Sequence, residues 1–525
     1  MRKKIILFAV LFSAAFFALS AQEEASNQEE QETEVSVIYD ETAVFIISDI
    51  EFDIKGRTRP YALIHKGEFK IGETFTGKEE LDNYVSEKTQ VLVNQRVLKD
   101  NVVIDYSIEE QLEDETFPVI LYVKVEDTLN IIVLPRPAYN SNTGFELTIK
   151  ARDYNFIGTM NSLRVDVGYR YDENKNHSFQ FEVYSDTPFR AFGYTWNVRF
   201  DNLFWYRPNV EEPFFYENVT GISMELPYRA TTFTFGFDES LIYNEENDND
   251  KKEIYGVDFQ KGLYMSSNLF ASWKIPTSLM VHRYGELTYT PAISAVFNHE
   301  LPKWPLLPFR KGPFLNFSHS LGFERIDWIS NFRDGLSVFI NNSYTYDFYR
   351  SSQGLPPLST FFSVGGSGYF ILANFFSITS QLQFRHWFYH DPDYYDGAGD
   401  ILRGIGDRNI SADYMLSLNL DFPFRLFVFR PSKWLNKNKL RFFDFELQLS
   451  PILDLALYHD PAADISFHPK NIAFTSGLEL FVFPLAFRSL YIRFGYAINM
   501  RKLIETGKFP SGDDREIYLI MRHFY

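Results

Sequence analysis

From about residue 143 to its end, this 525-residue chain alternates apolar and polar side chains with a period of two. Successive side chains of a strand point to opposite faces, so this period marks strands that are apolar on one side only. Leu163, Val165, Val167 and Tyr169 alternate with Arg164, Asp166, Gly168 and Arg170. Late in the chain, Leu490, Ile492, Phe494, Tyr496 and Ile498 alternate with Tyr491, Arg493, Gly495, Ala497 and Asn499. One face suits hydrocarbon, and the other carries charges that tolerate only a watery surround. About sixteen such segments fit between 143 and 525, an even number, as a single-chain bacterial barrel requires. The alternation is least regular from about 250 to 350.

Composition agrees with a membrane barrel. Aromatic residues reach 18%, with 54 Phe and 32 Tyr, while hydrophobic residues stay at 45%. A wall that meets lipid on every second residue, ringed by interfacial aromatics, gives this combination. The uncharged stretch from Ser351 to Phe384 is broken by Gly, Pro, Gln and Asn, so it does not read as a spanning helix. The expected fold is therefore a transmembrane antiparallel β-barrel behind one small α+β unit. A large secreted β-sandwich is the competing reading.

The first 21 residues read as a secretory signal: Arg2, Lys3 and Lys4, an apolar run to Phe17, then small residues ending at Ala21. Residues 22–44 form an acidic, disordered lead-in. Residues 45–128 read as a compact periplasmic β-α-α-β-β unit. Its second helix would start at a capping box, Thr76-Gly77-Lys78-Glu79. Residues 129–142, with Pro135 and Pro137, read as a short stiff linker to a barrel spanning 143–525.

These strings in this order resemble the BamA/TamA superfamily of outer-membrane insertases and secretion pores, over essentially the whole mature chain. The 45–128 unit, with Gly56 after its first strand and Gly72 before its second helix, looks like one polypeptide-transport-associated (POTRA) domain. The segment YNSNTGFELTIKARDYNFIGTMNSLRVDVGY is similar to the family's first hairpin, with its N-F-x-G-T turn. Leu402-Arg403-Gly404-Ile405 looks like the family's V-R-G-F/Y loop motif, with Ile405 in place of the usual aromatic. The resemblance implies a loop between strands eleven and twelve that folds into the lumen, with its Arg paired to acids on the inner wall. By alternation alone, Arg403 is as readily a solvated loop arginine. Alternation also places Asp421 inward, opposite the face of Leu416, Leu418 and Leu420, and Asp454 is a second candidate partner. Ile517, Leu519, Met521 and the final Tyr525 look like the family's terminal-strand signal, an extended edge read by assembly machinery.

The sequence lacks G-x-S-x-G, H-E-x-x-H and P-loop strings, and its acids and His residues fit no metal-ligand spacing. With no Cys, a lipoprotein anchor and thiolate sites are excluded, and the net charge of −18 argues against nucleic acid. No cofactor and no enzymatic activity are expected. The expected partners are outer-membrane lipid and unfolded or secreted client polypeptides, handled by a monomeric barrel. The resemblance implies insertion or translocation of polypeptides, with a two-partner-type secretion pore or a passive channel as alternatives.

Overall fold

The computed structural model describes residues 42–523, except positions 96, 303 and 462 and the segments 113–115, 142–143, 173–174, 209–213, 247–259, 282–284, 307–309, 389–395, 398–400, 407–409 and 487–489. The expected signal segment, nearly all of the acidic lead-in and Tyr525 lie outside the described residues, as does the side chain of Met521.

The N-terminal unit is a four-stranded sheet carrying two helices. Its strands are β1 (Val44–Lys55), β2 (Thr74–Thr76), β3 (Val103–Ile108) and β4 (Thr116–Glu126), in the order β2-β1-β4-β3. β1 and β4 run parallel, and the helices α1 (Pro60–Gly67) and α2 (Lys78–Asn94) lie between β1 and β3 in the chain. Phe45, Ile47, Leu63, Leu81, Leu92, Val119 and Leu121 form its core, which Met160 of the following barrel also joins. The order differs from β-α-α-β-β by the three-residue β2, too short to register as a period. The cap of α2 also differs. Gly77 is the N-cap residue, and Glu80, not Glu79, reaches back to accept from the Thr76 amide at 2.7 Å.

The rest of the chain closes into one antiparallel barrel. Tyr414–Asp421 and Phe424–Phe429 together occupy a single position between the same two neighbours, so the wall has eighteen strands instead of sixteen. One extra strand comes from residues 129–142, expected as a linker. Ile131–Asn140 is the first barrel strand and pairs with Gly144–Asp153 over its whole length. Pro135 and Pro137 do not exclude it, because a proline is tolerated where a strand's other edge is barely used. The soft region from 250 to 350 also holds full-length strands, Gln260–Met280, Glu286–Glu300, Phe314–Ile329 and Phe332–Asp347.

The outer wall is apolar and continuous. Val198, Ile222, Phe237 and Leu269 are successive cross-strand partners on the fifth to eighth strands, and all four are exposed. Rings cluster near strand ends, as in Phe179–Tyr206–Phe214 and Phe233–Trp273. Charges face inward, for example Arg152 with Asp166, which also receives Lys150 at 3.3 Å. A barrel satisfies all wall backbone groups between strands and so can cross hydrocarbon. Among the described residues, no helix is long and apolar enough to do so.

The N-terminal unit lies under one mouth of this barrel and touches its rim at two places. At the turn between the second and third strands, Arg57 forms a fork with Asp153 at 2.7 and 3.1 Å, and the Arg59 amide donates to the Gly158 carbonyl. The bond to Asp153 raises the Arg57 pKa, keeping this anchor charged. At the turn between the tenth and eleventh strands, Asn94 at the end of α2 donates to Asp327 and accepts from the Trp328 amide, both at 3.0 Å. Eight of eighteen strand positions separate the two turns, so the unit spans the mouth almost along a diameter. A cavity of about 1500 Å³ remains between α1, Glu87 and the facing wall.

Candidate functional site

The strand pair Phe376–Phe388 and Tyr414–Phe429, thirteenth and fourteenth in the wall, is joined by a long loop at the mouth away from the N-terminal unit. The motif-bearing part of this loop lies inside the barrel. The resemblance had implied a loop between strands eleven and twelve; the two additional strands both precede it. Leu402 and Ile405 are buried in a cluster with Ile410, Ala412, Met415, Ala456 and Tyr458. That apolar seat fixes the loop against the inner wall and leaves Arg403 and Gly404, between the two anchors, free to be aimed.

Arg403 meets three carboxylates from three adjacent strands. Its Nε donates to Asp454 Oδ2 at 2.9 Å, and a terminal nitrogen donates to the other oxygen of the same group. The remaining terminal nitrogen donates to Asp421 Oδ1 at 2.6 Å and Glu479 Oε1 at 3.1 Å. The Arg403 amide adds a bond to Asp454 at 3.0 Å. Asp454 and Glu479 side chains are wholly buried, and a buried carboxylate left without a cationic partner is costly. Glu479 also accepts from Arg493 and from the Tyr518 hydroxyl. A planar fork that can hold two carboxylate oxygens at once suits arginine, and lysine could not reproduce it.

Gly404 continues the contact toward the seam of the barrel. Its φ is +91°, and a Cβ there would lie 2.7 Å from the Ile498 nitrogen, so both backbone shape and space call for glycine. Its amide donates to Glu516 Oε2 at 2.8 Å on the last strand, Arg515–His523. The other oxygen of that carboxylate accepts from Asn140 Nδ2 at 2.6 Å on the first strand. One carboxylate therefore joins the loop tip, the last strand and the first strand.

That junction sits at the thinnest part of the wall. Among the described residues, first and last strands pair only at Tyr139–Leu519 and Asn140–Tyr518, with Ser141 adding bonds to the backbone of Ile517 and Arg515. Continuing the same register would set Pro137 opposite Met521 and Pro135 opposite His523. Prolines carry no N–H, so half of the ladder has no donors to offer there.

The residues singled out in the sequence thus fall into two groups. Arg403, Asp421 and Asp454 come together, with Asp454 the more fully engaged of the two acids. Ile517 and Leu519 lie on the seam strand, on the face opposite buried Tyr518. Glu479, Arg493, Tyr518, Glu516 and Asn140 complete the site without having been singled out. For Glu479, Arg493, Tyr518 and Glu516 the signal was the inward phase of the alternation, which says which face a side chain takes but not which neighbour it meets; Asn140 lay in the segment read as a linker and had no such signal. Among the described residues, no group of three or more His, Asp or Glu could hold a metal ion.

The chain is a membrane β-barrel. No family model and no curated protein matches it. Among solved structures, it is similar to CdiB from Acinetobacter baumannii, at 13% identity over 91% of this chain and 74% of that one, with a TM-score of 0.46. It is similar to BamA from Haemophilus ducreyi lacking POTRA domains 1-3, at 13% identity over 91% and 85% of the two chains, with a TM-score of 0.42. CdiB from Escherichia coli gives 10% identity over 99% and 97%, with a TM-score of 0.39.

Proposed function

We propose that this barrel sits in an outer membrane with its N-terminal unit, a single POTRA-like domain, in the periplasm. There it inserts or translocates other polypeptides without any enzymatic step. The observation that carries the reading is the seam, two register pairs long, held beside a loop tip that reaches both of its strands through Glu516. Parting two strands exposes a row of unpaired N–H and C=O groups, which an incoming strand can take up by β-augmentation. The N-terminal unit, pinned beneath the mouth, would receive such a strand first, and among the described residues its outer strand β3 pairs only with β4.

A second reading, a secretion pore for one dedicated partner, is favoured by the 1500 Å³ cavity between the unit and the wall, which offers a route to the lumen. The experiment places purified protein in liposomes and adds an unfolded barrel client or an unfolded secreted chain. Tyr139→Cys with Leu519→Cys, oxidised across the seam, should abolish client insertion, and reductant should restore it. Delivery unaffected by the lock transfers the role to the lumen. Ion conduction with no delivery by the unlocked protein leaves a passive channel. Deleting residues 45–128 should leave a folded barrel that no longer delivers clients.

A further inference from the structure

The turn between the fourteenth and fifteenth strands stands apart from its neighbours. At the same mouth, the turns at 192–193, 229–230, 330–331 and 374–375 are two residues long, whereas this one runs from Arg430 to Asp444. It holds a short helix, Pro431–Trp434, and a 3-10 helix, Asn438–Phe443. Asp444 fixes the first of these by accepting from the Ser432 amide at 3.1 Å and from its hydroxyl, and the Leu485 amide ties the Asp444 carbonyl to the next turn. The segment is therefore folded to present a definite surface.

That surface is basic and apolar together. Arg430, Lys433, Lys437, Lys439 and Arg441 are all exposed, and no acidic residue occurs between 430 and 443, in a chain whose net charge is −18. Trp434 is 71% exposed, and Leu435, Phe442 and Phe443 are nearly as open. The apolar part continues the lipid-facing wall. Phe427 and Phe429 pack on Phe445, at 6.2 and 5.3 Å between ring centres, and Trp434 meets Phe429 edge-on at 5.1 Å. Phe427, Phe429 and Phe445 belong to the face opposite inward-pointing Arg425 and Glu446, which pair at 3.1 Å.

We infer that residues 430–443 are a docking surface for anionic phospholipid, in the leaflet on the side of the N-terminal unit. The row of rings running off the wall puts Trp434 at headgroup depth, where an indole is apolar on its body and polar at its N–H. Exposed lysines and arginines beside it would then sit among phosphates, each contributing about fivefold in lipid affinity. A soluble acidic partner would need the cations but would have no use for the continuity of Trp434 with the hydrocarbon-facing rings.

The test uses full-length protein in nanodiscs of phosphatidylcholine mixed with phosphatidylglycerol, and reads the lipids that remain bound in native mass spectrometry. The wild type should retain phosphatidylglycerol over phosphatidylcholine at least tenfold. K433Q/K437Q/K439Q/R441Q should lose that preference, while the lysine and arginine exchange at the same four sites keeps it. W434S/F442S/F443S should retain less of both lipids. Heat-modifiable migration on gels verifies that each barrel is folded. Equal retention by the wild type and the glutamine variant overturns the inference. So does a preference for a soluble polyglutamate peptide over phosphatidylglycerol vesicles.

Discussion

The tenth and eleventh strands meet along sixteen register pairs, from Phe314–Asp347 to Ile329–Phe332, and the first and last meet along two. Both junctions belong to one wall and face one bilayer. In hydrocarbon an unpaired backbone group costs several kcal/mol, so sixteen pairs make a junction that cannot part without a large penalty. At the seam most of that penalty is already present in the closed barrel, because Pro135 and Pro137 leave partners without donors. The difference puts the proposed opening on a single line, and the site at the loop tip lies on that line.

The strongest way to break the comparison is to lock each junction in turn. The oxidised Tyr139→Cys/Leu519→Cys pair should stop client insertion, while Leu321→Cys with Ile340→Cys, register partners on the far wall, should leave it unchanged. Equal inhibition by both locks, in liposome insertion assays, would remove the seam's special status.

Removing the loop's anchor comes next in size. Arg403→Ala strips the cation from Asp454 and Asp421 and leaves Glu479 with Arg493 alone, and breaking a buried pair costs about 3–5 kcal/mol, at the lower end where lumen water reaches the group. The unheated, folded band on gels should convert to the unfolded one at a markedly lower temperature. Reversing charges at Arg403 and Asp421 together should not rescue it, since Asp454 and Glu479 would then face a new acid.

A smaller effect is expected at the junction itself. Glu516→Gln keeps one acceptor for the Gly404 amide or for Asn140 but not both, a loss of roughly 1–2 kcal/mol. Single-channel recordings should show more frequent sub-state openings, with unitary conductance unchanged. Smallest of all, Pro135→Ala with Pro137→Ala returns two donors to the first strand. Delivery should slow severalfold and heat resistance should rise slightly. Faster delivery from this variant would sink the role assigned to the prolines.

The period of two was enough to read a barrel, the sidedness of its strands and the inward face of Asp421. It was not enough to count strands. Pro135 and Pro137 suggest a linker wherever both edges of a strand must donate, and only the closed wall reveals that one edge here is nearly idle. The loop motif was legible as a string, but the meeting of Arg403 with Glu479, or of Gly404 with Glu516, depends on register between strands far apart in sequence. No local pattern encodes that register. The basic, aromatic turn at 430–444 was not singled out from the sequence, because its reading depends on the rings of Phe429 and Phe445 beside it.

The bond from Asn140 to Glu516 joins residues 376 positions apart, whereas the hairpin at Ile329–Phe332 closes over two. Chain entropy lost on closure grows with the span enclosed, so the hairpins form readily and the seam is the most demanding contact to make. Arg403 and Gly404 are bound by the last five strands, which can assemble around the loop before the circle is complete. Glu516 would then already be held in place when the first strand arrives. In kinetic terms, the luminal loop would act as a template for the final closure step, and refolding into detergent should show a barrel lacking Arg403 passing through a long-lived open sheet.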